Sequence, residues 1–245
     1  MTDTKEMSKR QQRREQMRRK EMRGKLLGIG LVSVGALFLA FLFIYPNIKP
    51  AAAVIAPEAV TYKQVDVSSQ GDPNAPVRID VYEDFQCPAC RNFSSDIEPL
   101  IVKNLVETGK VYYTFHNYPF IDGKGISGGE SDQAANAAMC AAEQGKFWEM
   151  HATIFANWNG ENLGAYADPR LRAFAQSAGL NMNDFDSCFS ENKYKTDIQA
   201  SFDAGDKLGV NGTPSVFVND QIVAPGYVPS YQQIEEAVNA ALAGN

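Results

Sequence analysis

The spacing of apolar residues changes character several times along this chain, and each change marks an element. Leu26–Tyr45 (LLGIGLVSVGALFLAFLFIY) is apolar on every side and carries no charge. A helix over it is about 30 Å long, the thickness of a bilayer's hydrocarbon core. Pro46-Asn47-Ile48-Lys49-Pro50 and the Ala-rich stretch to residue 61 end that pattern and predict a linker. Val60–Val67 alternates loosely, as an edge strand does, and Gly71–Pro76 is a dense turn signal. Val77–Tyr82 is a short β-branched run that predicts a buried strand. Pro88 stands at a first helical position, and a helix from about Ala89 to Thr108 places Phe93, Ile97, Leu100, Ile101 and Leu105 on one face. Pro99 kinks it and Gly109 ends it. Lys110–Tyr118 is the next strand.

Residues 122–130 form a loop, and from Asp132 to Leu208 the period is helical in several segments. Asp168 caps one of them, with Pro169 at its first position and Leu171, Phe174, Ala175 and Ala178 on its apolar side. Tyr194, Ile198, Phe202 and Leu208 make a similar stripe. Ser215–Val218 and Gln221–Ala224 predict two strands around an Asn219-Asp220 turn. Ser230 caps a last helix bearing Ile234, Ala237, Val238 and Leu242. The order is β-α-β, a helical block at about 128–208, then β-β-α, which is an α/β chain.

Charge divides the same chain in two. Residues 1–25 carry ten Lys/Arg against four Asp/Glu, so +6 sits there and −12 on the remainder of a chain whose net charge is −6. That split argues against a nucleic-acid binder and places the two parts in different environments. The basic flank precedes the apolar run, which by the positive-inside rule keeps residues 1–25 in the cytoplasm and sends residues 46–245 outside. Ala51-Ala52-Ala53 offers a signal-peptidase site, but the run is longer than a signal's apolar core, so an uncleaved anchor at 26–45 is the expectation.

Four cysteines follow the anchor, where disulfides form and persist, and they allow three pairings. Closing the small Cys87–Cys90 loop removes little chain entropy. A Cys140–Cys188 bond closes about 49 residues and is worth roughly 4 kcal/mol. Spacing thus separates a reactive pair from a structural one. Cys87 falls between the first strand and the first helix, facing unsatisfied N–H groups and the positive end of a helix dipole, which stabilise its thiolate. Cys90, one turn on, is placed to resolve a mixed disulfide. A metal site is the competing use of Cys-x-x-Cys, with Cys140, Cys188, His116 and His151 as the remaining ligands, but these form no second tight pair.

Tyr82-Glu83-Asp84-Phe85-Gln86-Cys87-Pro88-Ala89-Cys90, with Gly212-Thr213-Pro214-Ser215-Val216-Phe217-Val218 downstream, resembles the DsbA-like branch of the thioredoxin superfamily. It looks most like the membrane-anchored bacterial forms related to BdbD. The resemblance covers about residues 62–245, and Ala134–Phe155 resembles the start of that branch's helical insertion. It implies a thioredoxin-like fold with a central mixed sheet, the insertion, and one transmembrane helix in front. It further implies that Cys87 is the nucleophile, Cys90 its partner, Pro88 and Ala89 the residues between them, and Thr213-Pro214 a cis-proline loop for substrate. It also implies that Cys140 and Cys188 form a second disulfide within the insertion, as some relatives have.

The resemblance also implies an enzyme that needs no cofactor or metal beyond its own cysteine pair. Its substrates are exported proteins with reduced or wrong disulfides, and its reoxidant is a membrane protein of the DsbB or VKOR type. A thiol oxidase at the cell membrane is the leading expectation. A tethered reductase or isomerase, and a non-catalytic or metal-delivery module, are the alternatives. Two positions depart from the branch: Val81 stands where many relatives carry a buried acid, and Ala89 where strong oxidants carry His. Glu83 and Asp84 are the neighbouring acids available instead. Without the His donor the Cys87 thiolate loses a stabiliser. Equilibration with glutathione is therefore expected to give a potential more reducing than about −120 mV; a value at or above it contradicts this reading.

Overall fold

A computed structural model describes residues 9–48, 53–58, 62 and 65–244. The chain divides into two units, Met1–Pro50 and Ala51–Asn245. In the first, helix α1 (Lys9–Ile48) unites the basic stretch and the apolar run. Its segment Met17–Leu42 is long and apolar enough to cross a membrane, as an anchor or a signal sequence does. Leu27, Leu31, Val32 and Phe38 stand exposed along it. The helix continues through Pro46 to Ile48, past the expected start of the linker; in a last turn proline removes one donor without ending the helix. Residues 49–52, 59–61 and 63–64, which hold much of the expected linker and edge strand, lie outside the described residues. Residues 53–58 are tied down: Ile55 N–H donates to Asn157 Oδ1 (2.9 Å), and Asn157 Nδ2 donates to Ile55 O (2.8 Å).

The second unit is built on a six-stranded mixed sheet. Its strands are β1 (Val65–Asp66), β2 (Ser69–Gln70), β3 (Val77–Glu83), β4 (Val111–Asn117), β5 (Ser215–Val218) and β6 (Gln221–Val223). Their order is β1-β2-β4-β3-β5-β6, with β3 and β4 parallel and the other pairs antiparallel. β3 is central. Val77, Ile79 and Val81 point into the larger core and are at most 1 % exposed, each burial worth about 1.5–3 kcal/mol. Tyr82 faces the other side, packed with Tyr118, Phe202, Val210 and Phe217. Among the described residues of the expected edge strand, Val65–Asp66 is a strand, and it ends where Val67 turns left-handed (φ 51°) into β2. Asn219 and Asp220 both have positive φ, as a tight two-residue hairpin turn requires, and Ala224 (φ 51°) lies outside β6 for the same backbone reason.

The helix expected over Ala89–Thr108 is three pieces: α2 (Pro88–Asp96), α3 (Glu98–Ile101) and a π-helical turn at Val102–Val106. Pro99 offers no N–H to the preceding turn, and the chain resets at Ile97. The reset rotates Leu100 outward to 41 % exposure, off the face it was expected to join, while Phe93, Ile101 and Leu105 are buried. The block between β4 and β5 holds α4 (Glu130–Ala142), α5 (Phe147–Ala156), α6 (Asp168–Ser177), α7 (Met182–Ser190) and α8 (Lys195–Lys207), and α9 (Tyr231–Gly244) closes the chain. The cap of α6 is Ala167, with Asp168 and Pro169 inside the first turn rather than Asp168 capping it. Leu208, at the end of α8, is exposed, and Val210 fills its place in the core. Ser230 and Gln233 make reciprocal capping bonds at the start of α9.

Cys140 on α4 and Cys188 on α7 are bonded, with an S–S distance of 1.99 Å. Replacing both by Ser is expected to lower the unfolding free energy by about 2–4 kcal/mol in urea titration; an unchanged midpoint contradicts a stapling role.

Candidate active site

Strand β3 delivers the chain to the site and helix α2 receives it. Cys87 is the residue between them, in extended conformation (φ −70°, ψ 122°) at the N-cap of α2, with Pro88 in its first turn. Cys87 N–H donates to Asp84 O (3.0 Å), which closes the turn that follows β3. The Sγ is within 3.4 Å of Thr213 O. Thr213 and Pro214 precede β5, which pairs with β3, and the bond between them is cis. The sheet therefore brings Cys87, Cys90, Thr213 and Pro214 together, although 126 positions separate the first and third. Pro88 is exposed and Ala89 half-buried, while Cys87 is 6 % and Cys90 0 % exposed. A groove of about 190 Å³ opens beside the loop, walled by Thr213, Pro214, Ile222, Ala224, Tyr227 and Val228.

The two thiols are unbonded and chemically unequal. The Cys90 thiol beside it, Thr213, and the N–H groups of Cys90 and Ala89 hold the Cys87 pKa down to about 6 against the effect of burial. Cys90 moves the opposite way: burial, the Cys87 sulfur and the Glu83 carboxyl push it well above its ordinary value. At neutral pH these surroundings favour the thiolate at Cys87 and the thiol at Cys90.

Glu83, the last residue of β3, is 1 % exposed, and neither carboxylate oxygen has a hydrogen-bond partner of full geometry. Burial raises its pKa well above the carboxylate range and nearby Glu98 raises it further, while the Cys90 thiol alongside opposes both. A strand's period of two puts Glu83 on the same face as Val81, so the acid missing at Val81 has a counterpart one pleat further along. That parity was the sequence signal available for Glu83. Asp84 is equally buried but committed: Oδ1 accepts from Gln86 N–H and the Ser131 hydroxyl, and Oδ2 from the N–H groups of Phe120 and Ile121. It ties the active-site turn to the loop after β4 and to α4.

Gln86 was not singled out by its sequence context and is wholly buried. Its Nε2 donates to Asp122 Oδ1 (2.6 Å) and Ser131 Oγ (2.9 Å), its Oε1 accepts from Asn162 N–H (2.6 Å), and its carbonyl accepts from Trp158 Nε1 (2.7 Å). The helical block is thus bolted to the residue next to Cys87. The histidines stand apart from the thiols: His116 Nε2 lies 2.8 Å from Asp80 Oδ1, and His151 is a buried residue of α5 whose pKa burial lowers to about 3. Among the described residues no group of three or more His, Cys, Asp or Glu side chains is arranged to hold a metal ion.

The family model described as Thioredoxin matches residues 63–240. "Probable disulfide bond formation protein D" of Bacillus cereus is 28 % identical over 163 residues, covering 65 % of this chain and 73 % of that protein. "Disulfide bond formation protein D" of Bacillus subtilis is 25 % identical over 175 residues, covering 71 % and 76 %. The crystal structure of oxidised BdbD from Bacillus subtilis superposes with a TM-score of 0.65 at 22 % identity, over 79 % of this chain and 100 % of that one, which establishes likeness of fold.

A thiol whose folded pKa lies below its unfolded one stabilises the fold above the unfolded pKa, and that stability is lost as pH falls through the folded pKa. For Cys87 the window runs from about 9 down to about 6. The reduced protein is expected to lose on the order of 4 kcal/mol across it relative to Cys87→Ser, and Cys87 alkylation to fall to half near pH 6. Half-alkylation near pH 8.5 contradicts the assignment.

Proposed function

The chain belongs to the thioredoxin family, and on that premise we propose that it is a thiol–disulfide oxidoreductase acting as an oxidase, which introduces disulfides into exported proteins through Cys87 and Cys90. The observation that carries this is the inequality of the two thiols, one held as a thiolate at a helix N-terminus and one sealed beside a carboxyl. A stabilised Cys87 thiolate is a good leaving group, so the Cys87–Cys90 disulfide is a competent oxidant. The name carried by the Bacillus relatives, disulfide bond formation protein D, agrees with that direction of electron flow.

A substrate thiolate attacks Cys87 Sγ, the Cys87–Cys90 bond breaks, and its electron pair goes to Cys90 Sγ. Glu83 enters as a protonated acid and donates its proton to the Cys90 thiolate, which its surroundings favour as a thiol. A second substrate thiolate then attacks the substrate sulfur of the mixed disulfide. Cys87 leaves as a thiolate and the substrate departs oxidised. The groove beside Thr213 and Pro214 seats the substrate's chain, with Ile222, Tyr227 and Val228 as an apolar wall.

The remaining assignments follow the charge pattern and the resemblance. Residues 1–25 are a cytoplasmic tail, 26–45 an uncleaved anchor, 46–61 the linker and 62–245 the catalytic domain outside the membrane. Cys140–Cys188 is structural. A membrane protein of the DsbB or VKOR type accepts the electrons, and tethering keeps the domain near it. In the full chain Cys87→Ser is expected to abolish oxidation of a reduced dithiol peptide, and Cys90→Ser to accumulate mixed disulfides with exported proteins. Peptide oxidation by Cys87→Ser overturns the mechanism.

A further inference from the structure

The mechanism makes no use of the buried acid Glu98. Glu98 opens α3 and is 7 % exposed. Its Oε2 accepts from the Ser94 hydroxyl (3.0 Å) and its Oε1 from the Tyr113 hydroxyl (3.1 Å), and His151 Nδ1 is 3.9 Å from Oε2. Tyr113 lies in β4 opposite Ile79 of β3, its side chain on the face that also carries Glu83, and its phenol feels the charges of Glu98, Glu83 and Cys90. Of the two buried carboxyls, Glu83 has no hydrogen-bond partner of full geometry and Glu98 has two hydroxyl donors.

Glu98 also reaches the outside. It lines a cavity of about 420 Å³, whose walls include Ser94, Tyr62, His151 and the clamped segment at Pro57 and Glu58. This opening is distinct from the groove beside Thr213 and Pro214; the two share no lining residue. The charged and titratable groups facing Glu98 are Tyr113 from β4, His151 from α5, Glu83 from β3 and Tyr62 from the segment before β1. Glu58, Lys103 and Glu107 stand at the cavity wall. Burial raises Glu98 to about 7 while the Ser94 and Tyr113 hydroxyls oppose it, so it exchanges protons at neutral pH.

We propose that Glu98 is the second carboxyl of a proton path that links Cys90, by way of Glu83, to solvent in this cavity. The inference rests on the reading of Glu83 as the acid and base of Cys90. When the substrate thiolate breaks the Cys87–Cys90 bond, Glu83 gives its proton to Cys90 and regains one from Glu98, which takes its own from the cavity. On reoxidation the Cys87 thiolate attacks the partner's disulfide and releases one partner thiolate. Glu83 then passes its proton out through Glu98, takes up the proton of Cys90, and the freed Cys90 thiolate attacks Cys87 Sγ and displaces the second partner thiolate. Charge need not cross the site while substrate or partner covers the Cys87 face. Glu98 is a positioning and relay residue, since it does not touch the reacting sulfurs.

The test is single-turnover resolution of a glutathione mixed disulfide on Cys87 of the full chain in detergent, followed by glutathione release from pH 5 to 9. Wild type is expected to show an inflection near pH 7. Glu98→Gln, which keeps the shape and partners of the side chain, is expected to be about tenfold slower at pH 7 and to lose that inflection. Glu98→Asp is expected to recover part of the rate, and it replaces Glu98→Gln as the probe if the latter does not fold. The Cys87 thiolate titration should be unmoved in either variant. Wild-type rate and inflection in Glu98→Gln overturn the path. If Glu83→Gln alone is then slow, the role of Glu83 stands and only the step beyond it falls; if Glu83→Gln is also unaffected, both fall.

Discussion

Burying a carboxyl without a full set of donors costs several kcal/mol, and a protein tolerates it where the group can shed its charge. Glu83 is such a group, buried at the end of β3 with the Cys90 thiol alongside. Burial, the Cys87 sulfur and the Glu83 carboxyl push the Cys90 thiol up, toward its protonated form. Cys87, one helical turn away at the N-cap of α2, meets N–H groups instead and rests as a thiolate. Strand and helix dictate the two environments, and the difference between them drives the disulfide's reactivity.

The rest of the domain holds that junction still. Asp84 and Gln86 flank Phe85 in the turn between β3 and α2, and their side chains collect seven hydrogen bonds among loops and helices distant in sequence. Phe85 packs on Phe115 and Phe155, and Tyr166 donates to its carbonyl. The helical block is therefore a brace for the active-site turn, and β5 presents Thr213 to the Cys87 sulfur from the far side.

Much of this was legible in the chain's pattern. The long apolar helix near the N-terminus, the central strand, the Cys-x-x-Cys at a strand–helix junction and the Asn219-Asp220 hairpin are local, and local spacing announces them. What was hidden depends on partners far away in sequence. Gln86 reads as an ordinary polar loop residue until Asp122, Ser131, Asn162 and Trp158 surround it. Leu100 fits a helical stripe until the reset at Ile97 turns it outward. Glu83 lay between these cases: strand parity pointed it inward, but the depth of its burial belongs to the packed core around β3.

Reduction of the pair is expected to leave Cys87 charged and Cys90 protonated. The dependence of the reduction potential on pH reads this directly, because it counts protons bound per two electrons. Between about pH 7 and 8 the account predicts a fall of about 30 mV per pH unit, one proton for two electrons. A fall of about 59 mV per unit, two protons for two electrons, would contradict it.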